Sequence, residues 1–143
     1  MPFVSFAILS LLFAAPCPIT TAPAPQFVPP PSFAPALGQH SFWFGTPDLW
    51  TELPASGELG RRDNKMFWWH PGFDGSAEPS PNLSLSIEPL DGRTVSFVKA
   101  RATNAFYDDR WSMLTMVEFP TAGCWKVTGS YQGHSLTFVA AVR

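Results

Sequence analysis

The chain has three histidines, a residue type that can bind a metal ion. His40, His70 and His134 are far apart in the sequence, and a zinc or calcium site needs three or more converging ligands. His70 and Asp74 are separated by three residues, but the proline and glycine among those three exclude a shared helix face. We therefore predict that His70 is a loop histidine and that the chain has no metal site.

Residues that could catalyse a reaction lack the partners that such chemistry requires. Cys124 could be a nucleophile only beside a base that lowers its pKa, and no partner histidine is evident, so a structural thiol is favoured. Asp108 and Asp109 are adjacent, so their side chains should point apart in a solvated loop. The sequence contains neither a G-x-S-x-G elbow nor a glycine-rich phosphate loop. We predict no enzyme, no catalytic residue and no cofactor.

The distribution of charge and proline divides the chain in two. No Asp, Glu, Lys or Arg precedes Asp48, whereas eight of the 16 prolines fall within residues 16–35. The formal net charge is −2 and the basic residues are scattered, apart from the Arg61-Arg62 pair. Because a basic stripe is missing, we expect no nucleic-acid partner.

The first part of the chain has the pattern of an export signal. Residues 3–15 are apolar except for two serines, which is shorter than the roughly 20 residues that cross a bilayer and matches the hydrophobic region of a signal peptide. We predict a leader over residues 1–17, used only for membrane targeting, and a periplasmic or extracellular location. A lipid anchor on Cys17 fits less well, because Pro16 occupies a place that favours a small residue.

The proline-rich stretch over residues 18–40 is predicted to be a disordered tether. Proline fixes φ and removes a backbone donor, so the stretch cannot join a sheet ladder and should sample polyproline II. A semi-rigid spacer is the favoured interpretation, and a ligand for a proline-binding groove is the alternative. A Cys17–Cys124 bridge would need this tether to fold back and the leader to be retained, so we expect Cys124 to stay unpaired.

Residues 41–143 have the pattern of one all-β domain. Short aromatic and β-branched runs alternate with Gly, Pro, Asp and Asn. Residues 83–87 alternate strictly between apolar and polar, the Asp91-Gly92 turn follows, and residues 94–99 are predicted to return as a strand. A second hairpin is expected around Gln132-Gly133. About seven or eight strands and no helical periodicity predict an immunoglobulin-like, two-sheet antiparallel sandwich.

Two tryptophans and one valine are predicted to be structural. The segment PTAGCWKV resembles the entry to the F strand of immunoglobulin-like domains, which places Trp125 at the corner aromatic and Val127 in the core. Adjacent residues of a strand face opposite sides, so Trp68 and Trp69 cannot share one core. We assign Trp68 to the core and expect Trp69 to be partly exposed.

Three motifs resemble a group of uncharacterised exported bacterial β-sandwich proteins. They are FW-x-GT…LW within residues 42–54, K-x-FWW at residues 65–69 and GCW-x-x-TG at residues 123–129. The resemblance spans about residues 41–142 and implies an exported β-sandwich. It implies no activity, so no catalytic residue follows from it.

The aromatic content, with 13 Phe and 6 Trp, motivates the functional hypotheses. We predict a non-enzymatic binding or structural module of the bacterial cell envelope that presents a sheet face or an edge strand to an envelope protein. The alternative is a carbohydrate-binding domain that stacks a cell-surface glycan on exposed indoles. The candidate binding residues are Trp43, Trp50, Trp69 and Trp111. Buried aromatics packed in a second small cluster are the competing explanation.

Overall fold

The computed structural model describes residues 15–33, 35–93 and 101–143, which form strands, turns and extended segments. The prediction of an all-β fold is confirmed, because the elements in these ranges are strands. The same ranges contain no helix that could span a membrane. Nine strands lie in the described ranges, compared with the seven or eight expected. They are β1 Ser41–Thr46, β2 Leu49–Pro54, β3 Glu58–Leu59, β4 Asn64–Trp69, β5 Ser84–Pro89, β6 Ala102–Tyr107, β7 Arg110–Val117, β8 Gly123–Tyr131 and β9 His134–Val142.

The strands form two sheets. The five-stranded sheet has the order β1-β2-β4-β7-β6, and each neighbouring pair is antiparallel. The four-stranded sheet has the order β3-β9-β8-β5. Its β8–β9 and β5–β8 pairs are antiparallel, but the two-residue strand β3 runs parallel to β9. The arrangement is therefore not purely antiparallel, because the chain leaving β2 runs alongside β9 before it enters β4.

One apolar core lies between the sheets. Trp68 of β4 and both Trp125 and Val127 of β8 have no exposed surface. The ring centre of Trp68 lies 6.3 Å from that of Phe138 on β9. A Cβ atom on Gly129 would come within 2.7 Å of the Trp68 ring, so this glycine makes room for the indole.

Period-two sequence patterns account for the strands that build this core. In β5, Leu85 and Ile87 are buried and alternate with more exposed residues. The β8–β9 hairpin is present and turns at Gln132 and Gly133, whose φ angles are 47° and 80°. Positive φ at both central residues matches the turn to the twist of the strands. The return strand predicted over residues 94–99 lies outside the described residues.

A disulfide bond joins Cys17 to Cys124, 107 residues later in the chain. The expectation of an unpaired Cys124 is therefore wrong. The bond is possible because the segment after Cys17 folds back against the four-stranded sheet, where Cys124 is the second residue of β8. While it persists, the sulfur of Cys17 is not available for a thioether-linked lipid.

Residues 18–40, which we call the strap, pack on the sandwich where they are described. Thr20 forms two hydrogen bonds with Val139 of β9: its N–H donates to the carbonyl oxygen, and its Oγ1 accepts from the N–H, both at 2.9 Å. Pro29 and Pro35 are buried, and Phe27 contacts the Trp50 ring. A disordered tether is thus the wrong description of these residues. Proline cannot join a ladder, but its ring can bury apolar surface.

We expect the disulfide to contribute a large share of the stability. A cross-link that closes a loop of about 100 residues stabilises a fold by about 4–5 kcal/mol in the chain-entropy model, and measured values are typically about 2–4 kcal/mol. Reduction should therefore lower the urea midpoint of the full chain markedly. A Cys17→Ser/Cys124→Ser variant should start at the lower midpoint and not respond to reductant. Equal midpoints for the oxidised and reduced chains would contradict this expectation.

Candidate functional site

The outer face of the five-stranded sheet carries a row of aromatic side chains. Because successive residues of a strand face opposite sides, this face receives Trp43 from β1, Trp50 from β2, Phe67 and Trp69 from β4, and Tyr107 from β6. Trp50 and Trp69 are direct partners across β2 and β4. The ring centre of Trp69 lies 5.2 Å from that of Trp43 and 6.2 Å from that of Phe67.

The strap covers much of this aromatic row. The Phe27 ring centre lies 6.5 Å from that of Trp50, and the Gly38 N–H donates to Glu52 Oε1 at 3.0 Å. Trp50 is fully buried and Trp69 is only 4% exposed. The expected partial exposure of Trp69 is therefore wrong: Trp43 and Phe67 pack against the indole, and residues 35–38 of the strap line the cavity beside it.

The four tryptophans proposed as binding residues do not form one exposed platform. Trp43 is half-buried and meets Trp69 edge-to-face, with 87° between the ring planes. Trp111 is half-buried, packs against the core and lies 4.8 Å from the Phe106 ring centre. A Cβ atom on Gly75 would come within 2.3 Å of the Trp111 ring, so the loop after β4 covers one face of that indole.

An open groove lies on the outer face beside the strap. One part encloses about 310 Å³ and combines the end of the strap with aromatic side chains; its lining is Pro35, Ala36, Leu37, Gly38, Glu52, Phe67, Trp69 and Tyr107. A second part of about 370 Å³ is more polar and is lined by Ser41, Glu52, Pro54, Glu58, Leu59, Gly60, Asn64, Lys65, Met66 and Phe67. Glu52 and Phe67 line both parts, so the two cavities adjoin on the sheet face, and together they are called the groove.

Three buried N–H groups on this face lack an acceptor. They are Nε1 of Trp50, Nε1 of Trp69 and Nε of Arg110, which form no hydrogen bond with any described residue. An unpaired buried donor costs about 1–3 kcal/mol, and such groups are rare in folded proteins. The packing on this face therefore buries the apolar surface of the two indoles but gives their N–H groups no acceptor.

A second cluster lies at one end of the sandwich, where three turns meet. Asp48 comes from the β1–β2 turn, His70 follows β4, and His134 begins β9. His70 Nδ1 lies 2.5 Å from the backbone carbonyl oxygen of Asp48. His134 Nδ1 lies 3.8 Å from Oδ2 of the same aspartate. The two imidazole ring centres are 5.6 Å apart.

Tyr131 packs beside this cluster and is tied to a carboxylate. Its hydroxyl donates to Glu78 Oε2 at 2.6 Å and accepts from Gln132 Nε2 at 3.1 Å. Its ring centre lies 5.2 Å from that of His70. Burial, the hydrogen bond to Glu78 and the negative charge of Glu78 raise the pKa of Tyr131 to about 12. The phenol therefore stays protonated in the neutral range.

The residues considered for catalysis and metal binding are distributed as follows. Cys124 is in the disulfide and cannot be a nucleophile in this state. Asp108 and Asp109 form an exposed turn between β6 and β7, with φ angles of 50° and 56°. His70 is brought to Asp48 and His134, a grouping that the sequence interpretation did not include. Within the described ranges, no three His, Cys, Asp or Glu side chains are arranged to hold a metal ion.

Several residues of the groove were missed by sequence reasoning. Phe67 and Tyr107 share the outer face with Trp69, and the period-two phase of β4 could have indicated Phe67. Glu52 could have been found in the same way from its phase with Trp50. The contribution of the strap had no local signal, because it depends on contacts between distant parts of the chain.

Comparisons with known protein families, with curated proteins and with solved structures gave no match. The resemblance drawn from the three sequence motifs stays a prediction.

We expect Trp68→Ala and Trp69→Ala to destabilise the fold by comparable amounts. Truncating a buried tryptophan typically costs about 3–5 kcal/mol, and both indoles are buried, on opposite faces of β4. Phe106→Ala is the control, because Phe106 is 59% exposed and its loss should cost less than either. Urea midpoints of the three variants test this, and a Trp69→Ala variant as stable as the parent would show that the strap does not bury the indole.

We also expect an alkaline loss of stability that depends on Tyr131. Because its pKa is raised from 10.0 to about 12 in the folded chain, its contribution is fully present below pH 10 and is lost as the pH rises toward 12. At about 1.4 kcal/mol per pH unit, the loss should reach about 2–3 kcal/mol. Tyr131→Phe should lack this component and Tyr107→Phe should keep it, as urea titrations between these pH values would show. An identical decline in both variants would refute the assignment.

Proposed function

We propose that this protein is a non-enzymatic binding module, exported to the bacterial cell envelope, that holds an extended segment of an envelope protein on the outer face of its five-stranded sheet. The observation that carries this proposal is the groove, the two adjoining cavities along that face. Its floor is aromatic at one end, and acidic and basic side chains line the other.

An immunoglobulin-like arrangement of the strands is part of the proposal, and the strand order supports it. If β2, β4, β7 and β6 are taken as strands A, B, E and D, their order is that of one immunoglobulin sheet. Strands β9, β8 and β5 then take the places of G, F and C, with β3 beside G. The Trp125 Nε1–H donates to the Thr121 carbonyl oxygen four residues upstream, at 3.0 Å, as the corner tyrosine of such domains bonds to the backbone before it.

Export is supported by two independent features. The apolar run over residues 3–15 fits a signal peptide that ends before Cys17, so that Cys17 stays in the exported chain. The Cys17–Cys124 disulfide is of the kind that persists in oxidising compartments such as the periplasm and is rare in the reducing cytosol.

A peptide fits the groove better than a glycan. Stacking on sugar rings needs exposed aromatic faces, but Trp50 and Trp69 are buried and Trp43 stands at right angles to Trp69. Two side chains that line the groove are exposed, Tyr107 at 56% and Leu37 at 40%. An apolar cavity beside a charged one suits an extended chain with mixed side chains.

The test is selection of short random peptides displayed on phage against the full chain with its disulfide intact. We expect the selected peptides to lose roughly tenfold or more in affinity for Tyr107→Ala. Phe106→Ala is the matched control, because Phe106 is the adjacent residue, is similarly exposed and faces away from the groove; it should bind with unchanged affinity.

The same chain is screened against a panel of soluble oligosaccharides. Peptides whose affinity is insensitive to Tyr107→Ala would overturn the assignment of the groove. Oligosaccharide binding that depends on Tyr107, without peptide binding, would overturn the peptide ligand in favour of the carbohydrate-binding alternative.

A further inference from the structure

The turn cluster of Asp48, His70 and His134 carries an inference that is independent of the groove. The three residues come from both sheets and meet at one end of the sandwich. The side chains of His134 and Asp48 are 41% and 60% exposed, so solutes can reach the imidazoles without any rearrangement of the fold. We propose that His70 and His134 form a binding site for one Cu²⁺ ion, and that Asp48 positions both rings.

The hydrogen bond of His70 determines which of its nitrogens can bind an ion. A carbonyl oxygen can only accept, so the 2.5 Å contact between His70 Nδ1 and the Asp48 carbonyl oxygen requires the hydrogen on Nδ1. The neutral ring then has its lone pair on Nε2, on the side away from Asp48. Metal-binding histidines characteristically donate their other ring N–H to a carbonyl or carboxylate in this way.

His134 has a related partner in the same residue. Its Nδ1 lies 3.8 Å from Asp48 Oδ2, beyond a direct hydrogen bond but close enough for the carboxylate to attract a hydrogen on that nitrogen. One aspartate therefore orients two imidazoles, through its main chain and through its side chain. The Tyr131 ring restrains His70 from a second direction.

The separation of the rings agrees with a shared ion. Two imidazoles bound through Nε2 to one ion, at about 2.0–2.1 Å, would have ring centres about 5–6 Å apart, and the observed separation is 5.6 Å. Two protein ligands leave the remaining coordination positions to water, which is consistent with the lack of a third converging ligand in the described ranges.

The donor set selects the class of metal. Neutral imidazole suits Cu²⁺, Ni²⁺ and Zn²⁺, and the affinity order of such sites places Cu²⁺ above Zn²⁺. Mg²⁺ and Ca²⁺ prefer oxygen ligands in larger number, so they should not bind at this pair. The third histidine, His40, lies before β1, away from the cluster, and provides a control within the same chain.

The experiment is isothermal titration of the full oxidised chain, after treatment with chelator, with CuCl₂, ZnCl₂ or MgCl₂. We expect one Cu²⁺ per chain, weaker binding of Zn²⁺ and no binding of Mg²⁺. His70→Ala and His134→Ala should each lower the Cu²⁺ affinity at least tenfold, and His40→Ala should not change it. Asp48→Asn retains the backbone carbonyl and should have a smaller effect than loss of either histidine.

Thermal melts of the metal-free variants establish that each one folds, and electron paramagnetic resonance of the Cu²⁺ complex counts its nitrogen ligands. Hyperfine coupling from two imidazole nitrogens is expected, with one lost in each single variant. Cu²⁺ affinity that survives both His70→Ala and His134→Ala would place the ion elsewhere, for example at the chain's amino terminus, and would overturn the proposal. A spectrum without coupling to two imidazoles would overturn it as well.

Discussion

The covalent bond between Cys17 and Cys124 fixes the start of the strap against the four-stranded sheet. The far end of the strap is fixed equally well, because residue 41 begins β1. A chain held at both ends loses little further entropy when its middle settles on a surface. The weak individual contacts of Phe27, Pro29 and Pro35 can therefore hold the strap over the outer face of the other sheet.

This arrangement gives the protein two apolar layers. The first lies between the sheets and contains Trp68, Trp125 and Val127. The second lies under the strap and contains Trp50 and Trp69. The two layers differ in the quality of their polar contacts: the Trp68 and Trp125 indoles each donate a hydrogen bond, to Thr115 and Thr121 respectively, whereas those under the strap have no acceptor. The indole N–H groups of Trp68 and Trp125 in the inner layer therefore have acceptors, and those of Trp50 and Trp69 do not.

Alternating patterns predicted strands such as β5 and the β8–β9 hairpin, and the opposite sides of Trp68 and Trp69, because period-two alternation is a local property of the chain. They did not predict β3 or β6. Contacts between distant segments could not be predicted in this way. Proline composition indicates that the strap cannot join a ladder, but it does not indicate what the proline rings will cover. Cys17 and Cys124, like His70 and His134, come together only through the packing of separate elements, so neither pair has a signature in the sequence.

The outer edge of β9 has a consequence for solubility. The outward-facing backbone N–H groups of Val139, Ala141 and Arg143 donate hydrogen bonds. Their acceptors are, in turn, Thr20 Oγ1, the Gly57 carbonyl oxygen and the Leu59 carbonyl oxygen. An open edge strand is a template for pairing with other chains, and here the strap and the segment around β3 cover that template together. A protease cut that removed the chain through Thr20 would therefore do more than expose aromatic rings. It would leave backbone groups of β9 free to recruit a strand from a neighbouring molecule, so the strap also protects the protein from self-association.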